Sequence, residues 1–398
     1  MDAKRNPYAP GAGTPPPILA GRDDLVAKAD LVLARARDGR AAKSFIAVGL
    51  RGVGKTVVLN KVRDLAEGQG YQSVFIEAYD EIRLADAISR ALRGVLLKLN
   101  RMEGAKELTR QGLRVLRGFA SAFKVNFQGV EFGIEPEPGT ADSGDLAVDL
   151  PELMLAVGEA ARQNGTAVAL MIDEVQYLSD PDMAALIMAI HRVNQRQVPV
   201  VLFGAGLPQL RGKMGEAKSY VERAFDFPRV DALHPDDART AIVEPARREG
   251  VSFDGAALDE ILRVTSCYPY FLQEWGHAVW LRASGSPIDL GTVVAAYPDA
   301  IGNLDASFLR VRLDRMTPTE KRYMRALAAL GPGSHRSGEI AKVYGARVTS
   351  IAPIRGNLIA KGMIYSPSHG DTAFTVPLFD EFMRRELPDW NDPQDDED

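Results

Sequence analysis

Two stretches of this 398-residue chain carry residue types whose spacing suits phosphate chemistry. The first is GLRGVGKT, Gly49 through Thr56, which places three glycines, Gly49, Gly52 and Gly54, ahead of a Lys-Thr pair. Glycines permit tight turning and let backbone amides approach phosphate oxygens. Lys55 then reaches the β and γ phosphates, and Thr56 offers a hydroxyl to Mg²⁺ at the positive end of a following helix. Leu50, Arg51 and Val53 complete the loop. The second stretch is AVALMIDEVQ, Ala167 to Gln176, in which five apolar residues after Ala167 lead into an acidic pair. Asp173 suits Mg²⁺, directly or through water, and Glu174 suits polarisation of an attacking water. Together they predict ATP and Mg²⁺ as ligands and ATP hydrolysis as the reaction.

Elements around the two motifs supply the positioning. Phe45 to Val48 reads as a short buried strand, Lys55 to Glu67 as a helix and QSVFIEAYD as a second strand. Further strands are expected over Ala167–Ile172 and Val198–Phe203, with helices over Leu150–Gln163 and Met183–Gln195 between and beside them. Strand, loop, helix, strand is the order of a parallel α/β sheet, whose ligands bind at the C-terminal strand edge. The tip of the fourth strand, Gly204 to Gly206, has no polar residue to sense a γ-phosphate. KSYVERAFDF, beyond it, offers Lys218, Glu222 and Arg223; Arg223 is the candidate arginine finger, in cis or across a subunit interface, with a surface ion pair as the alternative.

The remaining chain divides by pattern. Residues 1–17 are rich in Pro, Gly and Ala and are expected to be flexible. Residues 18–232 form the sheet domain, with an insertion at 84–145 that is mostly helical and includes a small hairpin at Val125, Phe127, Val130, Phe132 and Ile134. Residues 233–309 read as a helical domain. Residues 310–388 read as three short helices and a two-stranded hairpin, a winged helix-turn-helix. Its candidate DNA-facing residues are Arg347, Ser350, Arg355, Asn357 and Lys361.

Composition narrows the function classes. With 46% hydrophobic and 25% charged residues the chain has the makings of several packed domains. Its 48 basic and 53 acidic side chains give a net charge of -5. That total hides 13 basic against 7 acidic residues from Arg310 to Pro388, followed by DWNDPQDDED with six acids and no base. A basic module closed by an acidic tail, 389–398, is suited to nucleic acid with the tail competing for the surface. Cys267 is the lone cysteine, which excludes an intrachain disulfide and a Cys-rich zinc site and fits a cytoplasmic setting. No apolar run approaches the roughly 20 residues of a membrane span, so membrane insertion is not expected.

The two motifs and the order of elements resemble the AAA+ and STAND-like P-loop ATPases, especially bacterial and archaeal proteins related to origin-recognition and replication-initiation ATPases, from about Leu19 to Leu387. The resemblance implies a P-loop NTPase sheet domain, a helical lid and a C-terminal winged helix. It places Gly21 and Arg22 of LAGRDDLVAKA near the base and ribose. TSCYPYFLQEWG resembles the second-sensor segment, with Pro269 setting a helix over adenine and Tyr268 contacting the base. Cys267 stands where glycine is usual, and the early arginine of that helix is missing. The expected function is a cytoplasmic ATP-dependent switch coupled to duplex DNA. The alternatives are a STAND-like signalling or defence ATPase assembling with a protein partner or itself, and a nucleotide-binding scaffold with negligible turnover.

Overall fold

The computed structural model describes the chain except residues 12, 41, 102–106, 127–134, 218–220, 369 and 389–398. The expected hairpin therefore lies almost wholly outside the described residues, as do Lys218 and the acidic tail. Internal contacts divide the chain into two units: Arg22–Gly49 with Gly54–Val230, and Met1–Gly21 with Leu50–Val53 and the chain from Asp231 onward.

The first unit is a parallel five-stranded sheet in the order β2-β3-β4-β1-β5. Its strands are β1 (Ser44–Val48), β2 (Gln72–Glu77), β3 (Val168–Asp173), β4 (Val200–Gly206) and the two-residue β5 (Phe225–Asp226). Every residue of β1, β3 and β4 is buried, which explains their nearly unbroken apolar runs: helices cover both faces of such a sheet. The helices of this unit are α1 (Asp23–Arg37), α2 (Lys55–Gly68), α3 (Leu84–Arg101), α4 (Glu107–Ala122), α5 (Leu146–Gln163), α6 (Asp180–Arg196), α7 (Leu210–Ala217) and the single turn α8 (Val221–Ala224). The helices α3 and α4 of the expected insertion are part of the core rather than an appendage, because Leu92, Leu96, Leu99, Leu113, Leu116 and Phe119 are buried in the same cluster as the strands.

Phe45 pairs with Phe203 across β1 and β4, and their rings meet edge to face at 4.9 Å. At Gly204 a methyl group would come within 3.1 Å of Ile46 and 3.2 Å of Val175. Glycine at that position thus lets the turn after β3 close over β4.

The second unit holds α9 (Pro235–Arg248), α10 (Gly255–Thr265), α11 (Pro269–Arg282) and α12 (Leu290–Asn303), followed by a π-helical turn over Leu304–Leu309 and α13 (Arg310–Asp314). Next come α14 (Pro318–Ala329), β6 (Ser334–Arg336), α15 (Ser337–Tyr344), α16 (Val348–Ala360), β7 (Ile364–Tyr365), β8 (Asp371–Phe374) and α17 (Phe379–Glu386). Thr317 and Glu320 close a capping box that starts α14. The three strands form an antiparallel sheet in the order β6-β8-β7. This is a winged-helix-like arrangement with one more strand than the hairpin expected from sequence, and with α17 packing Phe379, Phe382 and Met383 inward.

The N-terminal residues differ from the loose lead-in expected of their composition. Tyr8 is 3% exposed and donates its hydroxyl to the Ile242 carbonyl at 2.6 Å. Trp280 Nε1 donates to the Asp2 carbonyl at 3.0 Å, and the Ala9 amide donates to Gln273 Oε1 at 3.2 Å. Gly276 makes room for the Tyr8 ring, since a methyl group there would fall 2.5 Å from it. One buried aromatic and its hydrogen bonds thus hold a Pro- and Gly-rich segment along α9 and α11.

Candidate active site

Parallel pairing brings the ends of β1 and β3 to one edge with β4 between them. Two strand spacings, about 9–10 Å, separate such ends, and the start of α2 spans that gap. Gly54 caps α2 with φ 92°, a left-handed conformation that glycine adopts without the Cβ clash. Lys55 and Thr56 follow as the first two residues of the helix, and Lys55 is buried. Thr56 Oγ1 donates to Asp173 Oδ2 at 2.5 Å.

Asp173 is 3% exposed, and its other oxygen accepts the Glu174 amide at 2.8 Å. Burial raises its pKa above the ordinary carboxylate value; the Thr56 hydrogen bond and the Lys55 charge act in the opposite direction. A hydroxyl and a carboxylate within 2.5 Å of each other are hard oxygen donors. Such a pair suits Mg²⁺, which takes one or two protein ligands and fills its remaining positions with phosphate and water. No group of three or more His, Cys, Asp or Glu residues able to hold a metal occurs among the described residues. Mg²⁺ held with a nucleotide needs no such group.

Glu174 sits directly after β3 with φ 53° and ψ 39°. This left-handed residue turns the chain into a single 3₁₀ turn, Val175–Tyr177, and leaves Glu174 half-buried. Gln176 Nε2 donates to Glu174 Oε2, while Gln176 Oε1 accepts the Leu207 amide at 3.1 Å. The loop glycine Gly49 donates its amide to the Gly206 carbonyl at 3.1 Å, extending the β1 and β4 pairing to the mouth of the site.

Within the second unit, the loop residues Leu50–Val53 meet the start of α11. Tyr268 donates its hydroxyl to the Arg51 carbonyl, the Tyr270 amide donates to the Gly52 carbonyl at 3.2 Å, and Arg51 Nε donates to the Gly362 carbonyl at 3.3 Å. Gly52 has φ 82° and lies so close to Tyr268 that a methyl group would be 3.0 Å from its ring. Tyr268 is the N-cap of α11 and Pro269 its first residue, so proline starts the helix as its fixed φ favours. Burial pushes the Tyr268 phenol pKa up. Gly21, at φ 64°, abuts the Asp237 side chain, and Arg22 is the N-cap of α1.

The other candidates are placed as follows. Arg223 is exposed on α8 and forms no ion pair among the described residues; Arg211 takes its neighbour Glu222 instead at 3.1 Å. Arg347 caps α16 and is exposed, as are Ser350 and Asn357. Arg355 is tied inward, donating to Thr372 Oγ1 at 2.8 Å, Ser366 Oγ at 2.9 Å and the Asp371 carbonyl at 2.8 Å. Lys361 pairs with the buried Glu320 at 2.7 Å. Sequence reasoning missed two residues. Gln176 lies two positions after Glu174, and only the three-dimensional turn reveals its contacts with Glu174 and Leu207. Arg312 stacks 3.9 Å above the Phe308 ring, and its pKa falls to about 10 through burial and the nearby Arg51 charge.

The AAA ATPase domain family matches residues 18–203, and a domain family of unknown function matches residues 306–383. Residues 18–203 therefore match an AAA ATPase domain, and with its P-loop NTPase core the chain is an ATP-hydrolysing enzyme.

No curated protein matches the chain. Among solved structures it is similar to the Walker-type ATPase paby2304 of Pyrococcus abyssi, at 15% identity over 93% of this chain and 98% of that one, with a TM-score of 0.57. That similarity is one of fold. The Aeropyrum pernix ORC1 protein in complex with DNA aligns at 15% identity over 93% of this chain and 94% of that one, with a TM-score of 0.46. The Thermotoga maritima RuvB Holliday junction branch migration motor aligns at 13% identity over 93% and 95%, with a TM-score of 0.45. No helix among the described residues is long and apolar enough to cross a membrane.

Proposed function

We propose that this protein is an ATP-dependent molecular switch whose hydrolytic step is carried by Glu174, with Lys55 and the loop amides holding the phosphates. Thr56 and Asp173 would hold Mg²⁺, which when bound supplies positive charge to the β and γ phosphates. The observation carrying this reading is the Thr56–Asp173 contact at 2.5 Å with Glu174 as the next residue. It sets a hydroxyl, a buried carboxylate and a second, half-buried carboxylate at one sheet edge. Lys55 neutralises developing phosphate charge, and Glu174 orients a water and takes its proton as the water attacks the γ-phosphorus, while the bond from that phosphorus to the β-phosphate oxygen breaks and ADP leaves. Glu174→Gln keeps the shape and removes the charge, so ATP binding should persist while phosphate release falls.

For the winged-helix-like domain, the surface of α16 supports a protein partner over duplex DNA. Its exposed side chains are Val348, Thr349, Ser350, Ala352, Pro353, Asn357 and Ala360, with no cation beyond the N-cap Arg347. A DNA-reading helix depends on cations for phosphate contacts. The two further basic candidates, Arg355 and Lys361, are engaged inside their own domain. DNA affinity measured in low salt separates the two: salt-sensitive binding lost in Arg347→Ala supports DNA, and no binding supports the protein partner.

A further inference from the structure

The β4 tip lacks a polar side chain, yet a polar group does stand there, delivered from another element. Gln176 belongs to the 3₁₀ turn after β3, and its amide spans from Glu174 to the end of β4. The direction of that amide is dictated by its partners. Leu207 is fully buried and presents a backbone N–H, which only a carbonyl oxygen can accept. Oε1 must therefore face Leu207, and Nε2 is left to donate to the Glu174 carboxylate. Gly206 leaves the space for this: a methyl group there would lie 2.8 Å from Gln176 Oε1 and 2.6 Å from Leu210. The backbone carrying the amide is held as well. Lys213 on α7 donates to the Leu178 carbonyl at 3.0 Å and to the Gln176 carbonyl at 3.4 Å, and pairs with Asp180 at 3.2 Å.

We propose that Gln176 is the positioning residue for Glu174, locking the carboxylate to the end of β4 so that it faces the attacking water in a fixed orientation. The inference rests on Glu174 acting as the base in ATP hydrolysis. A carboxylate on a free two-carbon stem samples several rotamers, of which few aim a lone pair at the water. An amide anchored through a buried main-chain hydrogen bond selects one. It also makes Glu174 sensitive to movement of the β4 tip, where the strand itself offers only Gly204, Ala205 and Gly206.

Two substitutions separate positioning from mere structural support. Gln176→Glu keeps an acceptor for the Leu207 amide but replaces the donor facing Glu174 with a carboxylate. Gln176→Ala removes both contacts. Steady-state phosphate release at pH 8, ATP affinity and thermal melting would be measured for both, with Glu174→Gln alongside. The expected result is a kcat reduced roughly tenfold or more in Gln176→Glu, a part of the roughly 10²–10⁴-fold that a positioned acid–base group contributes, with ATP affinity and melting close to wild type. Gln176→Ala should lose kcat as well and melt somewhat lower. A Gln176→Glu protein with wild-type or faster turnover, while Glu174→Gln is inactive, would overturn the positioning role and leave the base intact. Unchanged turnover in Glu174→Gln would instead remove the reading on which the inference rests.

Discussion

Thr56 Oγ1 and Asp173 Oδ2 lie 2.5 Å apart although 117 positions separate them in the chain. Thr56 is the second residue of α2 and Asp173 ends β3, so the contact closes the edge of the sheet across the width of β4. It also partly compensates a cost, because an ionised carboxylate that is 3% exposed has lost most of its hydration.

That cost has a pH signature. Burial raises the Asp173 pKa in the folded protein, so the fold holds the proton more tightly than the unfolded chain does. The contribution to stability is then favourable in acid and is lost as pH rises through the folded-state value. Asp173→Asn should accordingly melt higher than wild type at pH 7–8 without nucleotide, by a few degrees, since about 1 kcal/mol moves Tm by roughly 2–4 °C in domains of this size. The gap should close as the pH falls below the folded-state value. Added Mg²⁺ and ATP should raise the wild-type Tm more than that of the variant. Melting curves across pH test both parts, and a variant that melts lower at pH 8 would refute the first.

Cys267 occupies a backbone position that suits glycine. It has φ 56° and follows Ser266 at φ 48°, so two consecutive side-chain-bearing residues are left-handed at the end of α10. A non-glycine residue in that region costs about 1–2 kcal/mol, and the half-buried thiol offsets only part of it. Cys267→Gly should stabilise the protein by about 0.5–1 kcal/mol, seen as a higher denaturant midpoint at unchanged slope. A lower midpoint would mean that the thiol's packing outweighs the strain.

Arg355 and Arg347 should behave differently when replaced. Arg355 joins α16 to β8 through Thr372 and the Asp371 carbonyl and to the adjoining turn through Ser366. Arg355→Ala should therefore cost about 2 kcal/mol of stability, because the buried Thr372 loses its charged partner. Arg347 is exposed at a helix start, so Arg347→Ala should change stability by less than about 0.5 kcal/mol. Chemical denaturation of both variants checks the contrast. Arg347→Ala is accordingly the clean variant for measuring nucleic-acid affinity.

Much of the local geometry of the candidate site was legible in the sequence because its parts are local. Gly49 to Thr56 is one strand-to-helix turn, and Asp173 with Glu174 ends one apolar strand. The parallel sheet followed from the same apolar runs. What escaped depends on contacts between distant segments or on elements too short to show a period. The strand Phe225–Asp226 has two residues and no alternation, and Ser334–Arg336 is polar and mostly exposed. Composition made residues 1–17 look loose, whereas Tyr8 needs only Gly276 as a seat, more than 260 positions away. Gln176 gave no signal of its own, because its partner Leu207 is identified by a backbone amide, which every residue type except proline supplies.

The most direct test is phosphate release from Mg²⁺ and ATP by purified wild-type protein and Glu174→Gln, each with ATP affinity measured in parallel. The expected result is ATP binding of similar strength in both, with turnover in the wild type and a loss of roughly 10²-fold or more in the variant. Equal turnover in the two proteins would contradict the assignment of Glu174 as the residue that activates water.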